Sequence, residues 1–399
     1  MPPLDVDSLT ETALRETGSL KWTMFPDTIG AFVAEMDFGL APAISDALKA
    51  ALDRGVTGYL PAHLATGLSE ATATWYAENY GWSVPADRVH HVPDVIHAFE
   101  LAIERFTEPG SAIIVPTPAY MPFLMVPPML GRTVIEVPSI EVDGRMVMDL
   151  DGIARAFDDG GGMLVLCNPH NPLGTVFTKD ELVEVSAVVT AKNGRVFSDE
   201  IHAPIVYGPA THIPYASVSE EAASHTLTAA SASKAWNLAG LTCAQVILSN
   251  DADAALWESF GFWAGHGTST LGVIANAAAY SAGGLWLDDV VEYLDGNRHL
   301  LAELVAEHLP KARMTMPEGT YIALIDLRGY GLDGDLGEWF REHASVAMTD
   351  GAACGEAGRG HTRFVFALPR PLLREAIERM GAALADGHGN GSNHPADSR

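Results

Sequence analysis

The sequence predicts an α/β fold whose larger domain is built on a mainly parallel sheet. Three observations carry this. Five short apolar runs (SAIIVPTPAY, GGMLVLCNPH, GRVFSDEIH, HTLTAASAS and AQVILSN) each read as a buried strand ending in polar or turn residues. Helix-patterned stretches such as KDELVEVSAVVTAK lie between several of them, the alternation of a parallel α/β sheet. After about Trp286 the pattern changes, and WLDDVVEYLDGNRHLLAELVAEHL reads as a long amphipathic helix leading into a second, smaller α+β lobe.

Taken in order, residues 1–45 precede the sheet without a core of their own and are expected to pack on the smaller lobe. Residues 46–285 make the large domain. Within it, HVPDVIHAFELAIERF predicts a helix starting near Val95, and Lys234 sits between an apolar run and a further predicted helix. Residues 286–385 make the small domain, with TYIALIDLRG and TRFVFALPR as strands and PLLREAIERMGAALADG as the last helix. Residues 386–399, rich in Gly, Asn and His with nothing to bury, are expected to form a disordered tail. No repeat of solenoid period occurs.

Bulk composition removes several function classes. Lysine and arginine number 24 against 51 acidic residues, a formal net charge of −27 that repels phosphate backbones and anionic membranes. No apolar run approaches the ~18 residues of a membrane span. The acidic, polar N-terminus does not read as a signal peptide, and the three scattered cysteines form no C-x-x-C pair. The expectation is a cytoplasmic protein with reduced thiols, no nucleic-acid partner and no membrane partner. No G-K dipeptide, G-x-S-x-G elbow or H-E-x-x-H occurs, so a P-loop, that type of serine hydrolase and that type of zinc protease are excluded. The adjacent His90 and His91 point to opposite faces of a strand and do not readily share a metal ion.

In a parallel α/β sheet, ligands bind beyond the carboxyl ends of the strands. Tyr120, Asn171, Asp199, His202 and Lys234 all fall there. Lys234 is one of only six lysines. A lysine amine can form a Schiff base with an aldehyde, and pyridoxal 5'-phosphate (PLP) is the commonest such aldehyde. PLP then requires an acid at its pyridine nitrogen, donors to its phenolate oxygen, a face to stack on and a phosphate cradle. Asp199 can supply the acid, Asn171 and His202 the donors, and Tyr120 the face. Ser231 and Ser233 offer hydroxyls to the phosphate, and the first amides of the predicted helix, on Val95 and Ile96, offer N–H groups. Singly, each residue has a plainer role: a surface lysine, a turn asparagine in NPLG, a capping aspartate, a core tyrosine, a serine that starts a helix. Their joint placement at strand ends is what favours the cofactor.

With these residues assembled, the chain resembles fold-type I PLP enzymes of the aspartate aminotransferase superfamily, in particular the MalY/PatB-type cystathionine β-lyases, or C–S lyases. The likeness runs from Lys21 to about Met380. It rests on FVAEMDF, GVTGYLPA, PTPAYMPF, CNPHNPLGTVFT, SDEIHAPIVY, SASKAWNLAGL, WLDDVVEYLDGNR, PEGTYIALIDLRGYGL and RFVFALPR. The resemblance implies a large PLP-binding α/β domain and a smaller domain made of N- and C-terminal segments. It implies that Lys234 holds the cofactor and shuttles protons. It implies that Tyr59 reaches the cofactor phosphate of the neighbouring subunit in a homodimer, and that Arg363 grips the substrate carboxylate with Asn171 also contributing. Phe32 and Glu35 stand where the family usually has Trp and Asp, Leu324 where it has Trp, Val365 where it has Asn, and Asp94 where a small residue opens the phosphate cradle. These departures bear on the substrate pocket and cofactor affinity.

The implied activity is α,β-elimination of cystathionine or another S-substituted L-cysteine to a thiol, pyruvate and ammonia. An aminotransferase is the alternative enzyme, since reprotonating the same carbanion on the cofactor gives a keto acid. A regulatory binding protein with residual lyase activity is the alternative from another class.

Overall fold

The computed structural model describes residues 5–387, so the expected tail lies, beyond Gly387, outside the described residues. The chain forms two compact units. One comprises Gly39–Val291 with Glu318–Thr320. The other takes the described N-terminal residues to Phe38, Glu292–Pro317 and the described residues from Tyr321 on.

The larger unit is organised by a seven-stranded sheet of β1 (Val89–Val92), β2 (Ala112–Thr117), β3 (Val134–Pro138), β4 (Gly161–Cys167), β5 (Arg195–Asp199), β6 (Thr226–Ala230) and β7 (Ala244–Leu248). Their spatial order is β1-β7-β6-β5-β4-β2-β3. Strands β2 to β6 pair in parallel, whereas β7 runs antiparallel to both β1 and β6. All strands but β7 therefore end at one edge. The mainly parallel sheet expected from the sequence is present, with AQVILSN as its single reversed member.

A sheet covered on both faces buries every side chain, which is why its strands read as continuous apolar runs instead of alternating ones. Every residue of β2, β6 and β7 is buried. Neighbours on one strand feed opposite cores: Phe197 of β5 packs with Phe99, Phe123 and Trp257, and Val196 packs with Phe157, Phe177 and Leu182. The helix Lys179–Ala191 begins where its sequence says it should, because Thr178 and Glu181 form a reciprocal capping box.

The smaller unit holds a four-stranded antiparallel sheet of β8 (Arg313–Met314), β9 (Ile322–Asp326), β10 (Thr349–Asp350) and β11 (His361–Val365), in the order β8-β9-β11-β10. The N-terminal segment is tied into this unit. Ile29–Gly30 pairs in parallel with Val346–Ala347. Lys21 Nζ, fully buried, donates to Asp37 Oδ2 (2.8 Å), the Ala367 carbonyl (2.9 Å) and the Glu35 carbonyl (3.2 Å), and Trp22 Nε1 donates to Asp37 Oδ1 (2.8 Å). The stretches KW and EMDF are thus two halves of one buried lock. Among the described residues no helix is long and apolar enough to cross a membrane.

Removing one partner of a buried ion pair leaves an uncompensated charge. Lys21→Met strands the Asp37 carboxylate, whose side chain is 4% exposed, and is expected to cost about 3–5 kcal/mol, read as a lower urea midpoint. A midpoint equal to wild type would show that the lock contributes nothing.

Candidate active site

The shared strand edge collects most of the residues singled out from the sequence. Asp199 is the last residue of β5, in register with Cys167 of β4 and Ala229 of β6. Asn171 lies in the buried loop that leaves β4, and Tyr120 follows β2. Ser231, Ser233 and Lys234 follow β6 directly. Val95 and Ile96 open the helix Val95–Phe106 that follows β1, as expected from the sequence. Arg363 lies in β11 of the smaller unit.

Asp199 is buried, and its Oδ1 accepts from the Ile201 amide at 3.0 Å. Burial out of water raises its carboxyl pKa to about 7; the Ile201 bond and the nearby Lys234 ammonium pull it down, and Glu200 pushes it up. The strand end that carries it is fixed by Glu200. That carboxylate is buried and accepts from Ser198 Oγ (3.0 Å), the Tyr215 amide (3.0 Å) and Tyr76 Oη (3.3 Å), with His212 Nε2 at 3.2 Å. His202, three residues beyond Asp199, is buried with its Nδ1 2.9 Å from the Thr320 hydroxyl. The half-buried Tyr120 ring meets Phe123 edge-on at 5.6 Å, which fixes its tilt against the core.

The segment after β6 differs from expectation. Ser231–Lys234 is followed by turns and a single 3₁₀ turn, Ala239–Leu241, in place of a helix. The reason is local: Asn237 takes the left-handed conformation, φ 59°, and Thr242 does so at φ 50°, which ends any helix after one turn. The Ser231 hydroxyl donates to the Cys243 carbonyl (2.7 Å) and accepts from the Ser233 amide (3.0 Å). Its only proton thus holds the Lys234 loop against the start of β7.

At the opening of the helix Val95–Phe106, Asp94 is exposed and its Oδ1 accepts from the His97 amide (2.7 Å). It acts as the N-cap of this helix. The next two amides, on Val95 and Ile96, have no acceptor within the helix by its geometry. His90 and His91 occupy successive positions of β1, and His90 stacks on Trp257. Among the described residues no group of three His, Cys, Asp or Glu side chains is placed to hold a metal ion.

Two further residues come from outside these strand-end loops. Tyr59 is 93% exposed and lines a cleft of about 1200 Å³ with His91, Phe262 and His266, next to the exposed Trp263. Arg363 is 2% exposed, and its Nη1 donates to the Phe32 carbonyl at 2.8 Å. Phe32 and Leu324, two of the departures noted above, therefore border Arg363: one through its carbonyl, the other as its partner in the β9–β11 register. Sequence reasoning gave no role to Thr320 or Glu200. Nothing in the spacing of PEGT or SDEIH reveals that these side chains turn inward.

A buried acid and a nearby lysine thus share the carboxyl edge of the α/β sheet. The chain belongs to the aminotransferase class I and II family, whose sequence model matches residues 32–380. It is 40% identical to the cystathionine beta-lyase of Corynebacterium glutamicum over 377 residues, 93% of this chain and 98% of that protein. It is 31% identical to the cystathionine beta-lyase PatB of Bacillus subtilis, covering 92% of this chain and 97% of the other. It superposes on the PLP-bound C–S lyase of Staphylococcus hominis with a TM-score of 0.88 at 26% identity, covering 96% of this chain and 99% of that one.

A raised carboxyl pKa means that the folded protein prefers the protonated acid. Stability is therefore lost as pH climbs from the ordinary carboxylate value of 3.8 to about 7, and the loss is then complete. Without cofactor, Asp199→Asn is expected to exceed wild type in urea stability at pH 8, by up to roughly 4 kcal/mol, and to match it near pH 4. An equal advantage at both pH values would place the cause elsewhere.

Proposed function

We propose that this protein is a PLP-dependent carbon–sulfur lyase that eliminates a thiol from cystathionine or another S-substituted L-cysteine, giving pyruvate and ammonia. The single observation that carries the reading is the Asp199 carboxyl, buried at the end of β5 with the Lys234 ammonium near enough to lower its pKa. An acid held near neutrality in an apolar setting calls for a cationic or proton-sharing partner, and a pyridine nitrogen is one. The family and the names of the relatives supply the chemistry.

When bound, PLP supplies an aldehyde that condenses with amines and a ring that takes up negative charge from the substrate Cα. The remaining work falls to the chain. Lys234 Nζ holds the cofactor at rest, then removes the Cα proton as general base. Asp199 keeps a proton on the ring nitrogen. Asn171 and His202 would donate to the phenolate oxygen, and Tyr120 would supply a ring for the cofactor to stack on. The Val95 and Ile96 amides, at the positive end of their helix, take the phosphate together with the half-buried Ser233. Ser231 supports this cradle by bracing the Ser233 amide. Arg363 is the carboxylate anchor, since a planar guanidinium binds a carboxylate bidentately and so fixes the Cα–H bond.

Tyr59 is proposed to serve the phosphate of a second copy in a homodimer. Its phenol is exposed, and it lines one cleft with Phe262, whose ring meets Trp263 at 5.2 Å; these two are 76% and 71% exposed. Large exposed aromatics in one patch mark an interaction surface. The three buried, unpaired cysteines support a reducing, cytoplasmic setting.

Product analysis tests the reading. Incubated with cystathionine and no keto-acid acceptor, the PLP-loaded protein is expected to release pyruvate and thiol. Turnover that appears only with an acceptor would instead establish an aminotransferase. Lys234→Ala is expected to lose both the visible absorbance of the loaded protein and at least ~10³-fold in turnover, because it removes the holder and the base together.

A further inference from the structure

The three residues Glu318–Thr320 belong to the larger unit although the chain on both sides of them belongs to the smaller one. The sequence PEGT explains how they embed. The Glu318 and Gly319 amides both donate to the Gly174 carbonyl (2.8 and 3.0 Å), and the Glu318 carbonyl accepts from the Tyr207 amide (2.8 Å). The Glu318 carboxylate accepts from the Val176 amide and from Arg145 Nε, each at 2.8 Å. Gly319 is a glycine because nothing else fits: a Cβ there would lie 2.8 Å from a Val176 methyl and 2.9 Å from the Ile205 carbonyl oxygen. Thr320 completes the clamp. Its amide donates to the Ile205 carbonyl (2.8 Å), and its carbonyl accepts from Tyr207 Oη (2.6 Å).

Thr320 is fully buried and held at φ 58°, a region that a β-branched residue rarely enters. Glycine or asparagine would sit there with less strain. Strain of this kind, kept by a surrounding clamp, points to a side chain that is needed. That side chain reaches one group of the candidate site: its hydroxyl lies 2.9 Å from His202 Nδ1.

We propose that Thr320 is a positioning residue for His202. In a neutral imidazole, one ring nitrogen carries the proton and the other a lone pair, and the hydrogen bond made at one nitrogen decides the state of the other. A hydroxyl can donate or accept; in this proposal the Thr320 hydroxyl donates to Nδ1, 2.9 Å away, which keeps the ring proton on Nε2. The ring then presents an N–H donor, as an anionic phenolate oxygen requires. The opposite tautomer would set a lone pair against that oxygen. This inference rests on the reading of His202 as a donor to PLP given above.

A donor at the phenolate oxygen stabilises the deprotonated form of the bound chromophore, so its loss raises the pH at which the visible absorbance titrates. In the PLP-loaded protein, Thr320→Val keeps the β-branch and the buried volume but removes the hydroxyl. It is expected to raise the titration midpoint by about one pH unit, the scale of one hydrogen bond to a charged group. Thr320→Ser keeps the hydroxyl and is expected to titrate within ~0.3 unit of wild type. His202→Phe is expected to shift the midpoint as far as Thr320→Val, and the double variant no further. Should Thr320→Val not load, Thr320→Ala carries the same comparison. A wild-type midpoint in the hydroxyl-free variant would overturn the proposal, and so would shifts that add in full in the double variant. If wild type gains no visible absorbance with PLP, or if Lys234→Ala keeps it, the cofactor reading itself fails. A normal wild-type chromophore with an unshifted Thr320→Val removes the positioning role alone.

Discussion

The site depends on one buried carboxyl. Asp199 ends a strand whose neighbours on both sides are packed with apolar side chains, and removal from water raises its pKa to about 7. A carboxylate in that position is costly without a positive or proton-sharing partner. The chain supplies a lysine from the next strand end and, in the proposed function, leaves the remaining demand to a cofactor. The parallel sheet makes this possible. Since β4, β5 and β6 finish side by side, three short loops can place an asparagine, an aspartate and a lysine together with little intervening structure.

Around that carboxyl, rigidity is built from groups that touch no ligand. Glu200 ties the end of β5 to Tyr76, Tyr215 and His212. Ser231 ties the Lys234 loop to β7. Glu318–Thr320, part of the larger unit, meets His202. A catalytic group is useful only if its own rotamer is locked, and here the locks are buried hydrogen bonds in a low-dielectric setting, where each is strong and its loss costly.

Much of this was legible in the sequence, and the reason is periodicity. Strands buried on both faces announce themselves as unbroken apolar runs, so β2, β4, β5, β6 and β7 and the strand-end positions of Asp199, Asn171 and Lys234 could be read directly. The helical pattern of HVPDVIHAFELAIERF placed the helix start near Val95, whereas the capping role of Asp94 emerged only from the structure. Less legible were features set by three-dimensional packing. That AQVILSN runs against its neighbours has no signature in a fully buried strand. The turns after Lys234 follow from the left-handed Asn237, whose conformation a run of small residues does not reveal. The bond between Thr320 and His202 spans 118 positions, and no local pattern encodes it. Ser231 looked like a phosphate ligand by its spacing from Lys234, but its hydroxyl is spent on the backbone of Cys243.

The central claim is that Lys234 is the amine that holds PLP. Borohydride reduction of the PLP-loaded protein, followed by mass mapping of its peptides, tests it most directly. The chain has six lysines, so the outcome is discrete. The account predicts the reduced pyridoxyl adduct on the peptide carrying Lys234 and on no other. An adduct on any of the other five lysines instead, or none at all, would contradict it.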